Sequence, residues 1–205
     1  MLKIYLARHG QDEDNFLGIL NGHRNKPLTE LGRSQAKQLA SYIVDNGLNF
    51  DKIYSSPLSR AYETASEVAK ILSLAQPEVI QNLIERDFGI MTGEKIIDIE
   101  RLCAPDIFKT DTITYFLSPE GAETFPDLIV RAKELLKLIK DNHQDGSVLL
   151  AGHGDFGKMV YAAYYDLAWQ EVLSSFHFGN SELVLLTEGI TPENAQIFKT
   201  SQYNS

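Results

Sequence analysis

The chain has 205 residues, 43% of them hydrophobic and 23% charged, which is enough apolar material for the core of one domain spanning 1–205. Its 19 Lys and Arg against 28 Asp and Glu leave a net charge of −9, so nucleic acid and anionic membrane surfaces are repelled, and an anionic ligand needs a locally basic site. The single cysteine, Cys103, excludes an intrachain disulfide. No apolar run approaches the ~18 residues of a membrane span, and the first strand-like run is too short for a signal-peptide core, so no membrane partner and a cytoplasmic location are expected.

Residues 2–7 form a short apolar run that reads as a buried strand. Thr29 is placed to cap a helix running to about residue 46, with Ala36, Leu39, Ala40, Ile43 and Val44 on one face and Gly47 as its stop. Residues 52–55 read as a second strand. Ser56 is then the expected N-cap of a helix whose first residue is Pro57, with Ala61, Ala65, Val68, Ala69 and Leu72 along its inner side. Residues 95–119 carry weak helical patterning and are expected to form a cap or insertion. A helix over roughly 123–142 turns Leu128, Ala132, Leu135, Leu136 and Ile139 inward. A continuous apolar strand follows at 147–151, then a helix through 158–165 and late strands at 182–187 and 195–199. Strands alternating with amphipathic helices predict an α/β fold: a largely parallel central sheet flanked by helices on both faces, with a small cap insertion.

Two of the predicted strands end alike. One runs into Arg8-His9-Gly10 and the other into Gly152-His153-Gly154. Each places a histidine just past the C-terminal end of a buried strand, the edge at which open α/β sheets bind ligands. A lone histidine there reads as a satisfied core or loop residue; two in matched settings point to a site. The glycines that follow let the backbone approach a ligand closely. Arg8 is either salt-bridged or part of that site. Arg60 is either on a solvated helix face or, one turn into a helix that starts at the same edge, a second forked donor for an oxyanion. His143 sits in a polar stretch and is expected to be solvated. His177 is expected to be structural.

The ordered blocks resemble the histidine phosphatase superfamily, which includes cofactor-dependent phosphoglycerate mutases. They are Arg8-His9-Gly10-Gln11 with Asn15; Pro27-Leu28-Thr29-x-x-Gly32-x-x-Gln35-Ala36; Ser55-Ser56-Pro57-Leu58-x-Arg60-Ala61-x-x-Thr64-Ala65; Glu85-Arg86-Asp87-Phe88-Gly89; Gly121-Ala122-Glu123-Thr124-Phe125; and Gly152-His153-Gly154. The resemblance implies that His9 is the nucleophile that takes a phosphoryl group. Arg8, Arg60 and His153 would bind that group, and Glu85 would be the proton donor and later the base. It implies contacts to substrate from Asn15, from Gly22 and His23 in the substrate loop, and from Gly154. Read from spacing alone, Glu85 is equally a surface carboxylate paired with Arg86. The implied partner is a small phosphorylated metabolite. No metal and no cofactor are expected, because arginines and histidines supply the neutralising charge. The oligomeric state is left open.

Departures from the family pattern bear on specificity. Asp12 stands where threonine is usual, and Met91-Thr92-Gly93 replaces a segment often richer in aromatic or acidic residues. Residues 90–120 contain Lys95, Arg101 and Lys109 but no Arg-Arg pair of the kind the mutases use, which favours a phosphatase; Arg86 after Glu85 keeps the mutase alternative open. A metallohydrolase using His9, His153 and His177 lacks any tight ligand spacing. A phosphate-binding module without turnover fits poorly with Glu85 beside both histidines.

Overall fold

The structure, a computed structural model, describes residues 1–200; the last five residues of the expected 1–205 unit lie outside the described residues. In chain order the elements are β1 (Leu2–Arg8), α1 (Glu13–Leu17), α2 (Glu30–Asp45), β2 (Lys52–Ser55), α3 (Ser59–Ile71), β3 (Glu78–Val79), α4 (Ile99–Cys103), β4 (Ile107–Lys109), β5 (Thr114–Phe116), α5 (Phe125–Asn142), β6 (Gly146–Gly152), α6 (Gly154–Tyr165), α7 (Trp169–Ser175), β7 (Leu183–Leu186) and β8 (Gln196–Phe198). Six strands form one sheet in the order β3-β2-β6-β1-β7-β8. The pairs β3–β2, β2–β6 and β6–β1 are parallel, and β7 runs antiparallel to both β1 and β8.

The period of two along a strand explains why β1 is apolar throughout. Ile4 and Leu6 face one way, into a cluster with Leu128, Leu135, Phe156 and Met159 of α5 and α6. Tyr5 and Ala7 face the other way, into a cluster with Leu39, Ile43, Ala65 and Val68 of α2 and α3. A sheet covered on both faces has no polar side to show, so its central strands read as continuous apolar runs. The sequence-predicted α/β architecture, with helices on both faces, is the one observed.

Local chemistry sets the helix starts. Thr29 caps α2 by accepting from Gly32 N at 3.0 Å. Thr124 and Asp127 form a reciprocal capping box at the start of α5. The expected start of α3 is corrected: Leu58 is the N-cap and Ser59 the first helical residue, two positions later than Pro57. Ser56 Oγ is engaged instead with Leu58 N at 3.2 Å and with the ring of His153 at 2.7 Å. The freed N–H of Ser59 is taken by Asn25 Oδ1, 2.7 Å away on a distant loop. His143 is also corrected. It is half-buried, and its Nε2 lies 2.9 Å from the Tyr54 hydroxyl.

Residues 95–119 form α4 and the two-stranded antiparallel hairpin β4–β5, preceded by a 3-10 turn at Ile96–Asp98. Their own small core joins Ile99 and Phe116 to Leu20, Phe88 and Met91. Arg86, fully buried, fastens this cap to the main body. Its guanidinium donates to the carbonyls of Phe116, Leu117 and Glu123 at 3.0, 2.8 and 2.7 Å and lies 4.3 Å from the ring centres of both Phe116 and Phe125. No helix among the described residues is long and apolar enough to cross a membrane.

Candidate active site

The register of two parallel strands brings the histidines together. Ala7 pairs with Ala151 and Arg8 with Gly152, so the next residue of each strand, His9 and His153, emerges at the same level of the sheet edge. His9 N donates to Gly152 O at 3.0 Å, and the two imidazole centres are 5.1 Å apart. The loop after His9 packs at a distance only glycine permits. A Cβ on Gly10 would fall 2.3 Å from Gly32 O, and one on Gly32 would fall 2.0 Å from Gln11 O. Gly10 N donates to Thr64 Oγ1 and Gln11 N to Gln35 Oε1. Separate blocks of the sequence pattern, on β1, α2 and α3, are thus one packed device that fixes the loop carrying His9.

The hydrogen bonds assign the imidazole faces. His9 Nδ1 lies 2.6 Å from the carbonyl oxygen of Gly10 and therefore donates to it, which leaves a lone pair on Nε2. That Nε2 is 3.3 Å from Arg60 Nε, as is His153 Nδ1, while His153 Nε2 donates to Ser56 Oγ at 2.7 Å. Both rings are buried, and both are held well below the ordinary histidine range. For His9 the causes are loss of solvation, then the charges of Arg60 and Arg8; for His153 they are loss of solvation, then Arg60, His9 and Arg8. Both are neutral near pH 7.

Arg60 is fully buried. Its two terminal nitrogens donate to Arg24 O and Gly22 O at 2.7 and 2.9 Å, so the guanidinium ties the 20–26 loop to the histidines. The Gly22 carbonyl, rather than its N–H, makes this contact, with the glycine at a positive φ of 46° against Phe88. Arg8 donates from Nη1 to Phe178 O at 2.8 Å, and its buried Nε has no hydrogen-bond partner among the described residues. Gly154 makes room for Arg8: a Cβ there would lie 3.3 Å from the guanidinium carbon.

Glu85 is buried rather than a surface carboxylate, and Arg86 hydrogen-bonds it through its backbone N–H. Oε1 accepts from Arg86 N at 2.8 Å and Phe156 N at 2.9 Å, and Oε2 has a longer contact, 3.3 Å, from Asp155 N. It therefore satisfies first-turn donors of α6, whose own N-cap, His153, makes no side-chain cap bond. Burial, then the charge of Asp155, raises the Glu85 carboxyl above its ordinary value against the pull of those backbone donors. Oε2, the less engaged oxygen, is the one free to carry a proton.

Arg8, Asn15, Glu85 and Gly154 line a cavity of about 90 Å3 that extends under the cap to Leu20, Phe88, Ile113, Tyr115, Lys158 and His177. His177, expected to be structural, thus stands in its wall. His9, Arg60 and His153 are not part of that lining; they connect to it through Gly154, the residue after His153, and through Arg8, the residue before His9. His23 is set apart: it is exposed and donates from Nε2 to Glu85 O at 2.8 Å, linking the 20–26 loop to the Glu85 segment. Among the described residues no group of three or more His, Cys, Asp or Glu side chains is placed to hold a metal ion.

Three residues outside the expected set of catalytic and substrate-binding residues take part; of these, sequence reading singled out Asp12 alone, as a departure bearing on specificity. Asp12 is fully buried, with Oδ2 3.2 Å from Arg60 Nε and 2.7 Å from Asn21 Nδ2, while Oδ1 caps α1 through Asn15 N. Ser56, read as a helix cap, orients His153. Lys158 was legible only as one helical residue, although a lysine set between Phe156-Gly157 and Met159-Val160 is a signal of a buried cation.

A family model described as histidine phosphatase superfamily (branch 1) matches residues 4–194. A 2,3-bisphosphoglycerate-dependent phosphoglycerate mutase of Parvibaculum lavamentivorans is 31% identical over 178 residues, 83% of each chain. Phosphoserine phosphatase 1 of Hydrogenobacter thermophilus is 31% identical over 165 residues, 80% of this chain and 76% of that one. Among solved structures, a mycobacterial glucosyl-3-phosphoglycerate phosphatase in complex with VO3 superposes with a TM-score of 0.77 at 26% identity, covering 90% of this chain and 92% of that one. A phosphoserine phosphatase of Entamoeba histolytica in complex with 3-phosphoglyceric acid gives 0.72 at 26% identity, covering 100% and 98%. With its paired histidines, buried arginines and ordered sequence blocks, this chain belongs to branch 1 of the histidine phosphatase superfamily.

Proposed function

We propose that the protein is a metal-independent phosphomonoesterase that hydrolyses a small phosphorylated metabolite through a phosphohistidine on His9. The observation that carries this reading is the state of His9: neutral, with Nδ1 anchored on Gly10 O and Nε2 turned toward Arg60 and His153. In the first step the Nε2 lone pair forms the N–P bond as the ester P–O bond breaks, and the Glu85 carboxyl gives its proton to the departing oxygen. In the second, water attacks phosphorus, its proton passes to the Glu85 carboxylate, and the N–P bond breaks to release phosphate and neutral His9. Arg8 and Arg60 are fixed cations beside the phosphoryl oxygens and need no rearrangement to stabilise their charge. His153 is the third group on that side, and Asn15, Gly22, His23 and Gly154 shape the loop and wall around it.

The experiment is rapid-quench turnover with a 32P-labelled substrate and no added metal. The expected result is an acid-labile phosphohistidine at position 9; label on a serine would overturn the covalent route. Transfer of the phosphoryl group to another hydroxyl is the second reading, favoured by the 31% identity to a phosphoglycerate mutase. Free phosphate as the product supports hydrolysis, and an isomerised phosphate ester supports transfer. The absence of an Arg-Arg pair favours hydrolysis.

A further inference from the structure

Lys158 is a cation in the wrong place unless something anionic meets it. It projects from α6 into the cavity wall, is only 5% exposed, and its Nζ donates to the Tyr115 hydroxyl at 2.8 Å. An ammonium has three N–H donors, so one phenol leaves it short of partners. Among the described residues no carboxylate lies within 4.0 Å of it. Nearby Asp155 is turned to Arg86 Nη1 at 3.6 Å, and Glu85 accepts from backbone N–H groups, two on Oε1 and a longer one on Oε2. The cap side of the wall is apolar, with Ile113 and Phe116 from the cap and Phe88 from the segment below it. Loss of solvation, opposed by Asp155 and reinforced by Arg8, pushes the Lys158 ammonium down to about 8. A buried, underpaired charge facing a cavity is costly in the empty protein, and a ligand anion would offset that cost.

Its position in the helix sets the reach. Lys158 is four residues beyond Gly154, the first residue of α6, which packs on Arg8. Four residues are about 6 Å along a helix axis. The cavity therefore joins a phosphoryl end to a cationic end over the length of a short carbon skeleton.

We propose that Lys158, with Tyr115, is a specificity-determining site that binds an acid group on the substrate, so that the preferred substrates are small phosphomonoesters carrying a carboxylate a few bonds from the phosphate. This rests on the proposed phosphomonoesterase reading for the phosphate end, but its test does not require turnover. Tyr115 comes from β5 of the cap hairpin and Lys158 from the main body, so an acid at this point would be held by both.

The test compares matched ligands that differ in the acid alone: 3-phospho-D-glycerate with glycerol 3-phosphate, O-phospho-L-serine with O-phosphoethanolamine, and phosphoglycolate with ethyl phosphate. Affinities are measured by calorimetry on the full chain carrying His9→Ala, so that no ligand is consumed. At least one acid is expected to bind tenfold or more tightly than its neutral partner. Adding Lys158→Met should remove that preference while changing the neutral ligand less than threefold, and Lys158→Arg should restore most of it. Tyr115→Phe, which keeps the ring and the packing, should weaken the acid by a smaller factor of about three and leave the neutral ligand alone. Equal binding of acid and neutral partners in every pair overturns the proposal, as does an acid preference that survives Lys158→Met in a variant whose melting temperature is unchanged. Release of phosphate from p-nitrophenyl phosphate by the unaltered protein tests the underlying activity separately.

Discussion

The two ends of the site are built differently. At the sheet edge, the proposed phosphoryl end, the groups are placed by strand register and close packing: His9 and His153 by the pairing of β1 with β6, Gly10 by its approach to Gly32 O, Arg60 by two backbone carbonyls. At the cap end, three-residue strands and a five-residue helix surround apolar side chains, and Arg86 joins them to the body through backbone carbonyls and ring faces. A rigid end suits chemistry, which needs atoms held to fractions of an ångström. A small, separately packed end can change its side chains without disturbing that geometry. In this family-type architecture the reaction should reside in the sheet edge and the choice of substrate in the cap.

The sharpest way to break that division is His9→Ala. Removing a covalent nucleophile is expected to lower turnover of p-nitrophenyl phosphate by ~10⁴-fold or more, with no labelled phosphohistidine in quenched samples. Steady turnover by this variant would mean that the chemistry does not depend on the end of β1.

Glu85→Gln should have the next largest effect. It keeps the size and an acceptor oxygen for the α6 donors but has no proton to give, and a loss of ~10²–10⁴ in turnover of an alkyl phosphate is expected. An aryl phosphate with an acidic phenol should suffer much less. The pH dependence follows from the directions of the shifts. His9, held well below the ordinary histidine range, stays neutral and nucleophilic at pH values under 6.5. Glu85, raised by burial and then by Asp155, keeps its proton above the ordinary carboxylate value of 4.5. The activity of the unaltered enzyme should therefore fall on the alkaline side as Glu85 loses its proton, and that limb should vanish in Glu85→Gln. Ionisation of the substrate contributes equally to both profiles, so their difference isolates Glu85. Identical alkaline limbs in the two proteins would move the proton donor elsewhere, with His153 the next candidate.

The contrast between the ends also explains what was legible in the sequence. Two strands each ending in His-Gly could be read because register and burial leave a strong pattern, and the α/β architecture followed from the alternation of strands and helices. The role of Glu85 was legible only through resemblance, since its cap on α6 is made across 71 residues of chain. The start of α3 was misplaced for the same reason: its first N–H is met by Asn25, 34 residues away, while the obvious cap, Ser56, holds His153. Helix α1 and strands β4 and β5 are shorter than the windows in which periodicity can be recognised. Lys158 was hidden because α6 is buried on most of its surface, so no polar face set the lysine apart from a solvated one.

Asp12→Asn probes a smaller effect at the rigid end. The carboxylate lies 3.2 Å from Arg60 Nε and is raised from its ordinary value by burial, with Arg60 pulling the other way. When ionised it offsets part of the charge that Arg60 offers to a phosphate. Asparagine keeps an oxygen for Asn15 N, and Asn21 can turn its amide to face the new donor. Removing one partly screened charge is worth on the order of 1 kcal/mol, so inorganic phosphate should inhibit the variant about threefold to tenfold more strongly at neutral pH. Weaker inhibition would show that Asp12 matters by orienting Arg60 and α1 rather than by its charge.

The smallest effect on turnover is expected at the cap, and it is the one that tests the division most directly. Ile113 is half-buried just before β5 and lines the cavity, and it carries no polar group for the chemistry. Ile113→Ala removes apolar wall without creating a deep cavity, because the site already opens on the substrate space, so the stability loss should stay near ~1 kcal/mol, below the range for fully buried positions. If the cap only shapes the space around the leaving group, KM for p-nitrophenyl phosphate should rise about twofold to fivefold, and kcat should stay within about twofold. Loss of uniform binding has that signature, whereas an interaction made only in the transition state would lower kcat in proportion. The alternative is specific: Arg86 donates from its guanidinium to Phe116 O of the hairpin and from its backbone N–H to Glu85 Oε1, and a wall that moves could shift the carboxyl through that link. A kcat that falls as far as KM rises, together with a displaced alkaline limb in the pH profile, would mean that the cap sets the position of the proton donor and that the two ends act as one unit.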